Sequence, residues 1–250
     1  MSDDSLGEEQ SASRVAAVGR ERYPPHMCPE LWRSVDRYLT ENLVGADPAL
    51  DRALQANAMA GLPPVDVTPT LGKLLHLLAR IQGAKRILEI GTLGGYSTIW
   101  LARALPPDGT LVTLEVDAQH AEVASANLTR AGLRSLIDLR VGPALDSLSQ
   151  LHREGAEPFD LVFIDADKPN NPAYFEWALR FSRLGTIIIT DNVVREGSVI
   201  DAANADPRVQ GARSFMQRLS AEPRVEATVI QTVGDKGYDG FALALVTSAG

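Results

Sequence analysis

The sequence predicts an α/β fold built on a mostly parallel sheet, and three observations predict it. From Lys85 onward, short apolar runs alternate with stretches of helical periodicity, which is the pattern of βαβ units. The runs RILEI, TLVTLEV, LIDLRV, FDLVFID and TIIIT are short and apolar enough to be five buried strands. Several end in glycine or acidic residues, at the edge where open α/β sheets bind ligands. Helical periodicity lies between them, near 96–105, 118–131, 143–154 and 171–183.

Three helices precede this core. The first covers about Glu30 to Val44, with Leu31, Val35, Tyr38, Leu39 and Asn42 on one face and Gly45 at its end. The second starts at Asp47 as N-cap with Pro48 at its first position and ends near Gly61. The third repeats that signal with Thr68 and Pro69 and stops at Gly83. After Asp191 comes an irregular stretch, then a helix near 207–220. Two further strands, VEATVIQT and FALALVT, follow. The glycines of VGDKGYDG between them read as a long hairpin loop.

Residues 1–22, with Asp3, Asp4, Glu8 and Glu9 and few large apolar groups, read as a flexible acidic tail. Residues 23–250 form one domain: helices over 23–83, then the ligand-binding α/β core over 84–250. A chain of 250 residues has ample core for this. Its N-terminus lacks the pattern of a secretory signal, and no apolar run is long enough to span a membrane, so a cytoplasmic location is expected. The single cysteine, Cys28, excludes an internal disulfide and a cysteine-based zinc site. A net charge of −8 disfavours a nucleic-acid partner, because phosphate binding runs on clustered Lys and Arg.

The chemistry concentrates at the strand ends. Leu88-Glu89-Ile90-Gly91-Thr92-Leu93-Gly94-Gly95-Tyr96-Ser97 reads as strand, glycine turn and helix start. The dinucleotide fingerprint GxGxxG would need glycine at 93 and 96, which are Leu and Tyr, so a nucleotide oxidoreductase is disfavoured. Glu115, about twenty residues on, stands where an acidic residue accepts from ribose hydroxyls. Glu89 before the turn suits a cationic ligand. S-adenosylmethionine (SAM) has a ribose, an ammonium and a sulfonium but no phosphate, and it fits. The bland alternative is a structural turn with a solvated Glu115.

FDLVFIDADK ends in Asp165, with Asp167 and Lys168 just beyond, and TIIITDN ends in Asp191 and Asn192. Neighbouring parallel strands would bring Asp165, Asp191 and Asn192 together as three oxygen donors. That set suits a hard cation, Mg²⁺ first, then Mn²⁺ or Ca²⁺. Taken singly, each acidic residue is more simply a turn cap. Lys168 reads either as an exposed lysine or as a general base. His26, His76, His120 and His152 show no metal-ligand spacing, and Ser97 has no GxSxG context.

Four blocks, in order, resemble the cation-dependent O-methyltransferases of the catechol and caffeoyl-CoA type: LEIGTLGGYSTIWLARALPPDGTLVTLEVD, VGPALDSL, FDLVFIDADKPNNPAYFEWAL and TIIITDNVVREGSVID. The resemblance spans about residues 30–249. It implies a class I SAM-methyltransferase fold, a Rossmann-like seven-stranded sheet with an antiparallel last hairpin and helices on both faces. It implies SAM as methyl donor and a divalent cation. By matching positions, Val67, Glu89, Gly91, Thr92, Ser97, Glu115, Ala144 and Asp165 would surround SAM. Asp165, Asp191 and Asn192 match the metal ligands. Lys168 and Asp165 match the catalytic pair, and Asp167, Lys168 and Glu196 lie at substrate positions. A small phenolic substrate and a homodimer are implied. Ala166 and Glu196 depart from the family's substrate-contacting residues, so the acceptor itself is not implied. The rivals are a tRNA hydroxyuridine O-methyltransferase of the same family and a non-catalytic binding protein of this fold.

Overall fold

The computed structural model describes residues 29–248. The expected acidic tail and Cys28 lie outside the described residues. The first helix, α1 (Pro29–Leu39), continues through one wider π turn, Thr40–Val44, and Gly45 ends it. Helix α2 (Pro48–Met59) is capped by Asp47, whose carboxylate accepts from the backbone N–H groups of Ala49 and Leu50. Helix α3 (Pro69–Gln82) is capped by the Thr68 hydroxyl and closed by Gly83 in the left-handed conformation.

The core then alternates as the hydrophobic pattern requires. Strand β1 (Arg86–Ile90) leads to α4 (Tyr96–Ala102), β2 (Thr110–Glu115), α5 (Ala118–Arg130) and β3 (Ile137–Val141). Helix α6 (Ala144–Arg153), β4 (Leu161–Ile164), α7 (Asn171–Arg180) and β5 (Ile187–Asp191) follow. Helix α8 (Pro207–Ala221) and the hairpin β6 (Val225–Gly234) and β7 (Gly237–Val246) complete the fold. The sheet order is β3-β2-β1-β4-β5-β7-β6. Strands β1 to β5 are parallel, and β7 runs antiparallel to both β5 and β6. This is the seven-stranded sheet with an antiparallel last hairpin that the family resemblance implies.

One expectation needs correction. VGDKGYDG is not a long loop: Val233 pairs with Tyr238 and Gly234 with Gly237, leaving a two-residue turn at Asp235 and Lys236. The strands run through the glycines because each has a place in the pairing: Gly237 takes the positive φ (+90°) at the turn, and Gly240 lies so close to β6 that a Cβ on it would come within 2.5 Å of the Ile230 carbonyl oxygen.

Side chains alternate across the sheet. Leu88, Ile90, Val162, Ile164 and Ile188 face α6, α7 and α8 with Phe175 and Phe215. Ile87, Leu111, Phe163 and Ile189 face the opposite layer with Leu75, Ile99, Trp100 and Leu128. The same alternation turns Glu89 and Thr113, paired across β1 and β2, toward α4. Asp160 fixes the start of the core: its Oδ2 accepts from the N–H groups of Lys85 (2.7 Å) and Arg86 (2.9 Å), and Arg183 pairs with its other oxygen. Among the described residues, no helix is long and apolar enough to cross a membrane.

Candidate active site

The strand order reverses between β1 and β4, since β2 and β3 lie on one side of β1 and β4 and β5 on the other. Loops diverge from such a switch point and leave a crevice at the strands' carboxyl ends. A cavity of about 290 Å³ opens there.

The glycine turn after β1 forms one wall. Gly91 has φ +102°, and a Cβ on it would come within 2.2 Å of the Asp165 carbonyl oxygen. Only glycine lets the β1 and β4 loops meet this closely. Glu115 fastens the turn from beneath. Its Oε2 accepts from the N–H groups of Thr92 (3.2 Å) and Leu93 (2.7 Å), and its Oε1 accepts from Asp117 N–H (3.0 Å). Leu93 itself sits at φ +49°, a left-handed conformation that these bonds help to hold.

Glu89 is fully buried behind the same turn. It accepts from the hydroxyls of Ser97 (2.6 Å), Thr98 (2.5 Å) and Thr113 (2.7 Å). Burial pushes its carboxyl up to about 7, against the opposing pull of these three hydroxyls.

The carboxylate side is built by β4 and β5. Lys168 is buried (7% exposed), and its Nζ donates to Asp165 Oδ1 at 2.8 Å. Asp191 is also buried, and its Oδ1 accepts from Asn192 N–H at 2.8 Å. Burial, with the negative charge of Asp165 adding to it, pushes the Asp191 carboxyl up to about 7. Asn192 adopts φ +56°, a conformation Asn tolerates better than most residues.

The predicted residues fall into two groups. Val67, Gly91, Thr92, Ser97, Asp165, Lys168 and Asn192 border this cavity. Glu89, Glu115, Ala144, Asp167, Asp191 and Glu196 do not line it. Glu89 and Glu115 support the glycine turn, and Asp191 lies buried beside Asn192. Asp167 is exposed, and it accepts from Tyr174 Oη (2.5 Å) and Asn170 Nδ2 (2.7 Å). Glu196 is exposed on a strained loop at φ +55°. Ala144 begins α6.

Sequence reasoning missed Asp66, which lines the cavity with Val65 and Val67. Its signal was the position itself, one residue before Val67. Among the described residues, no three His, Cys, Asp or Glu side chains gather as a metal-binding group; the acidic set here is two carboxylates and the Asn192 amide.

The O-methyltransferase family profile matches residues 43–245, which spans the second and third helices and nearly the whole sheet. The chain belongs to the O-methyltransferase family. Catechol O-methyltransferase of Niastella koreensis is 54% identical over 217 residues, covering 87% of this chain and 98% of that protein. Catechol O-methyltransferase of Mycobacterium tuberculosis is 53% identical over 212 residues, covering 85% and 94%. Among solved structures, the O-methyltransferase from Bacillus cereus in complex with SAH superposes with a TM-score of 0.87 at 59% identity, covering 88% of this chain and all of that one. TomG from Streptomyces achromogenes, an O-methyltransferase involved in tomaymycin synthesis and solved with SAM, gives 0.86 at 55% identity, covering 89% and 100%. The seven-stranded architecture of this O-methyltransferase is therefore shared along essentially the full length of these relatives.

Proposed function

We propose that this O-methyltransferase moves the methyl group of SAM to one hydroxyl of a vicinal-dihydroxy aromatic small molecule, with a divalent cation held by Asp165, Asp191 and Asn192. One observation carries the reading: two carboxylates stand at adjacent strand ends, Asp191 buried and pushed up to about 7, and Lys168, the ammonium beside them, pairs with Asp165. Buried like charges are costly unless a cation compensates them. An all-oxygen donor set of two carboxylates and an amide fits a hard divalent ion. The names of the catechol O-methyltransferase relatives and the SAM and SAH of the solved neighbours support the substrate class and donor.

Bound SAM would supply a methyl group on a sulfonium, whose sulfur would keep the electron pair of the broken C–S bond as the substrate oxygen takes the methyl. A divalent cation would supply Lewis acidity toward a nearby substrate hydroxyl. The remaining work belongs to the chain. Gly91 lets the β1 turn close onto the Asp165 backbone and so brings the two strand ends together. Glu115 holds the N–H groups of Thr92 and Leu93 in place, and Val67 closes the opposite wall. Asp165 is shared: it is the present partner of Lys168 and a candidate ligand. Asp165 would hold the cation, and Lys168 Nζ, 2.8 Å from it, would take the hydroxyl proton in its neutral form, having first given one of its own protons to solvent. Fixing oxygen, methyl and sulfur in line supplies several kcal/mol, roughly 7 or more in well-oriented cases.

The test is direct. Purified protein is incubated with SAM and a panel of vicinal-diol aromatics, first with Mg²⁺ and then with EDTA. Monomethylated product that disappears with EDTA and returns with added metal is expected. Full turnover in EDTA would sink the cation; turnover only on monohydroxy aromatics would sink the vicinal-diol acceptor.

A further inference from the structure

Asp66 sits on the strap between α2 and α3, at the lip of the cavity. Its Oδ1 accepts from Asn57 Nδ2 at 2.9 Å, and among the described residues its Oδ2 accepts from no other residue. Asn57 is itself buried and immobilised: its Oδ1 accepts from Asn127 Nδ2 (3.0 Å), which also donates to the Gly94 carbonyl (2.8 Å). Gly94 lies so close that a Cβ on it would meet Asn57 Oδ1 at 1.9 Å. The glycine turn, α5 and α2 thus converge to aim one carboxylate.

Lys236 donates to the Pro64 carbonyl at 2.7 Å and acts on Asp66 through its charge, with no hydrogen bond to that carboxylate. Across the cavity, Lys168 is committed to Asp165. The cavity therefore offers two carboxylates against one ammonium. Asn57 could be satisfied by any neutral acceptor, so its hydrogen bond does not explain a charge here. Burial raises the Asp66 carboxyl, so the charge is held at a cost that a cationic ligand would offset.

We propose that Asp66 is an ammonium-binding residue, whose free oxygen accepts from an –NH₃⁺ group of a molecule bound in the cavity. That group has two sources, the amino group of the methyl donor or an amine carried by the acceptor. The inference rests on the proposed methyltransferase reading for the identity of these molecules.

The test compares wild type with Asp66→Asn, which is nearly isosteric and keeps the Asn57 contact, and with Asp66→Ser as a second variant. In the donor arm, calorimetry measures S-adenosylhomocysteine and its analogue lacking the amino group. In the acceptor arm, KM is measured for a catechol with an alkylammonium chain and for one with a neutral chain of equal length. A charged hydrogen bond predicts that wild type prefers the amine roughly 10- to 100-fold in one arm and that both variants lose that preference. Whichever arm collapses identifies the source. Preferences that survive both substitutions, affinity losses equal for amine and amine-free ligands, or no amine preference in wild type would each overturn the proposal. The donor arm needs no turnover. A chain that binds with the predicted preference but methylates no catechol sinks the function proposed above and leaves this inference standing.

Discussion

Lys168 Nζ lies 2.8 Å from Asp165 Oδ1, three residues back along the same turn, with the lysine buried and Asp165 partly open to the cavity. The pair gives Lys168 a fixed position above the glycine turn rather than the freedom of a surface lysine. If Lys168 is the base, Lys168→Met should lower kcat roughly 100- to 10,000-fold, while KM for SAM changes little. Lys168→Arg keeps a positive charge beside Asp165 but cannot lose its proton, so it should fail nearly as badly. Steady-state kinetics of both variants check this. Near-normal kcat in Lys168→Arg would reduce the role of Lys168 to charge alone.

Asp191 separates activity from stability. It is buried, it faces the charge of Asp165, and both effects disfavour its ionised form. Asp191→Asn keeps the acceptor for Asn192 N–H and removes the repulsion. Without added metal its Tm should rise, at about 2–4 °C per kcal/mol gained in a chain of this size. Turnover should fall roughly 100- to 1,000-fold, since an electrostatic contact in the reaction is lost. Thermal scans and Mg²⁺-supported assays on the same preparation test both halves. A variant that is less stable and equally active would contradict the assignment.

Glu89 makes a pH prediction. Its carboxyl stands at about 7 in the folded chain, against about 4.3 for an exposed glutamate. Between these values the folded state keeps a proton that the unfolded chain has released. Stability contributed by this group is therefore present at low pH, is lost as pH rises through that window, and levels off above about 7. The total is on the order of 4 kcal/mol. Glu89→Gln has no such proton to lose. Urea unfolding of both proteins from pH 4 to 8 should give curves that converge toward acid and separate toward neutrality in favour of the variant. Parallel curves would show that Glu89 ionises normally.

Much of this architecture was legible in the sequence because each strand carries its own period. Leu161–Ile164 (LVFI) and Ile187–Ile189 are apolar throughout, as strands covered on both faces must be, and RILEI is broken only by Arg86 and Glu89. Asp47, Thr68 and Gly83 mark helix ends through local hydrogen bonding, which needs no tertiary information. The DADK and TDN blocks placed Asp165 and Asp191 at neighbouring strand ends through order alone. Other features depend on contacts across the fold. Glu115 was legible as an acidic strand end, but its grip on Thr92 and Leu93 arises from how the β1 turn folds over β2. Asp66 has no periodic context, and only the packing of α2 against α5 brings it to the cavity. The hairpin was misread because Gly234, Gly237 and Gly240 suggest a loop, while backbone pairing to β7 decides the outcome.

The loop after β5 carries the last prediction. Asn192, Arg195 and Glu196 all have φ near +55°, a conformation that costs non-glycine residues about 1–2 kcal/mol each. Such strain persists only when surrounding contacts enforce it, and Asp239 on β7 supplies them. Its Oδ1 accepts from the N–H groups of Val194 (3.0 Å), Arg195 (2.9 Å) and Gly240 (3.0 Å), and its Oδ2 lies 3.4 Å from Arg195 Nη1. Asp239→Ala should release the loop and let Asn192 and Glu196 drift. A misplacement of about 1 Å near reacting groups costs roughly 100-fold in rate. Asp239→Asn preserves Oδ1 as acceptor and loses only the weak Arg195 pairing, so it should recover most of that rate. Measuring kcat and the Mg²⁺ concentration for half-activation in both variants decides the matter. If alanine and asparagine lose activity equally, the negative charge of Asp239 matters more than its grip on the loop.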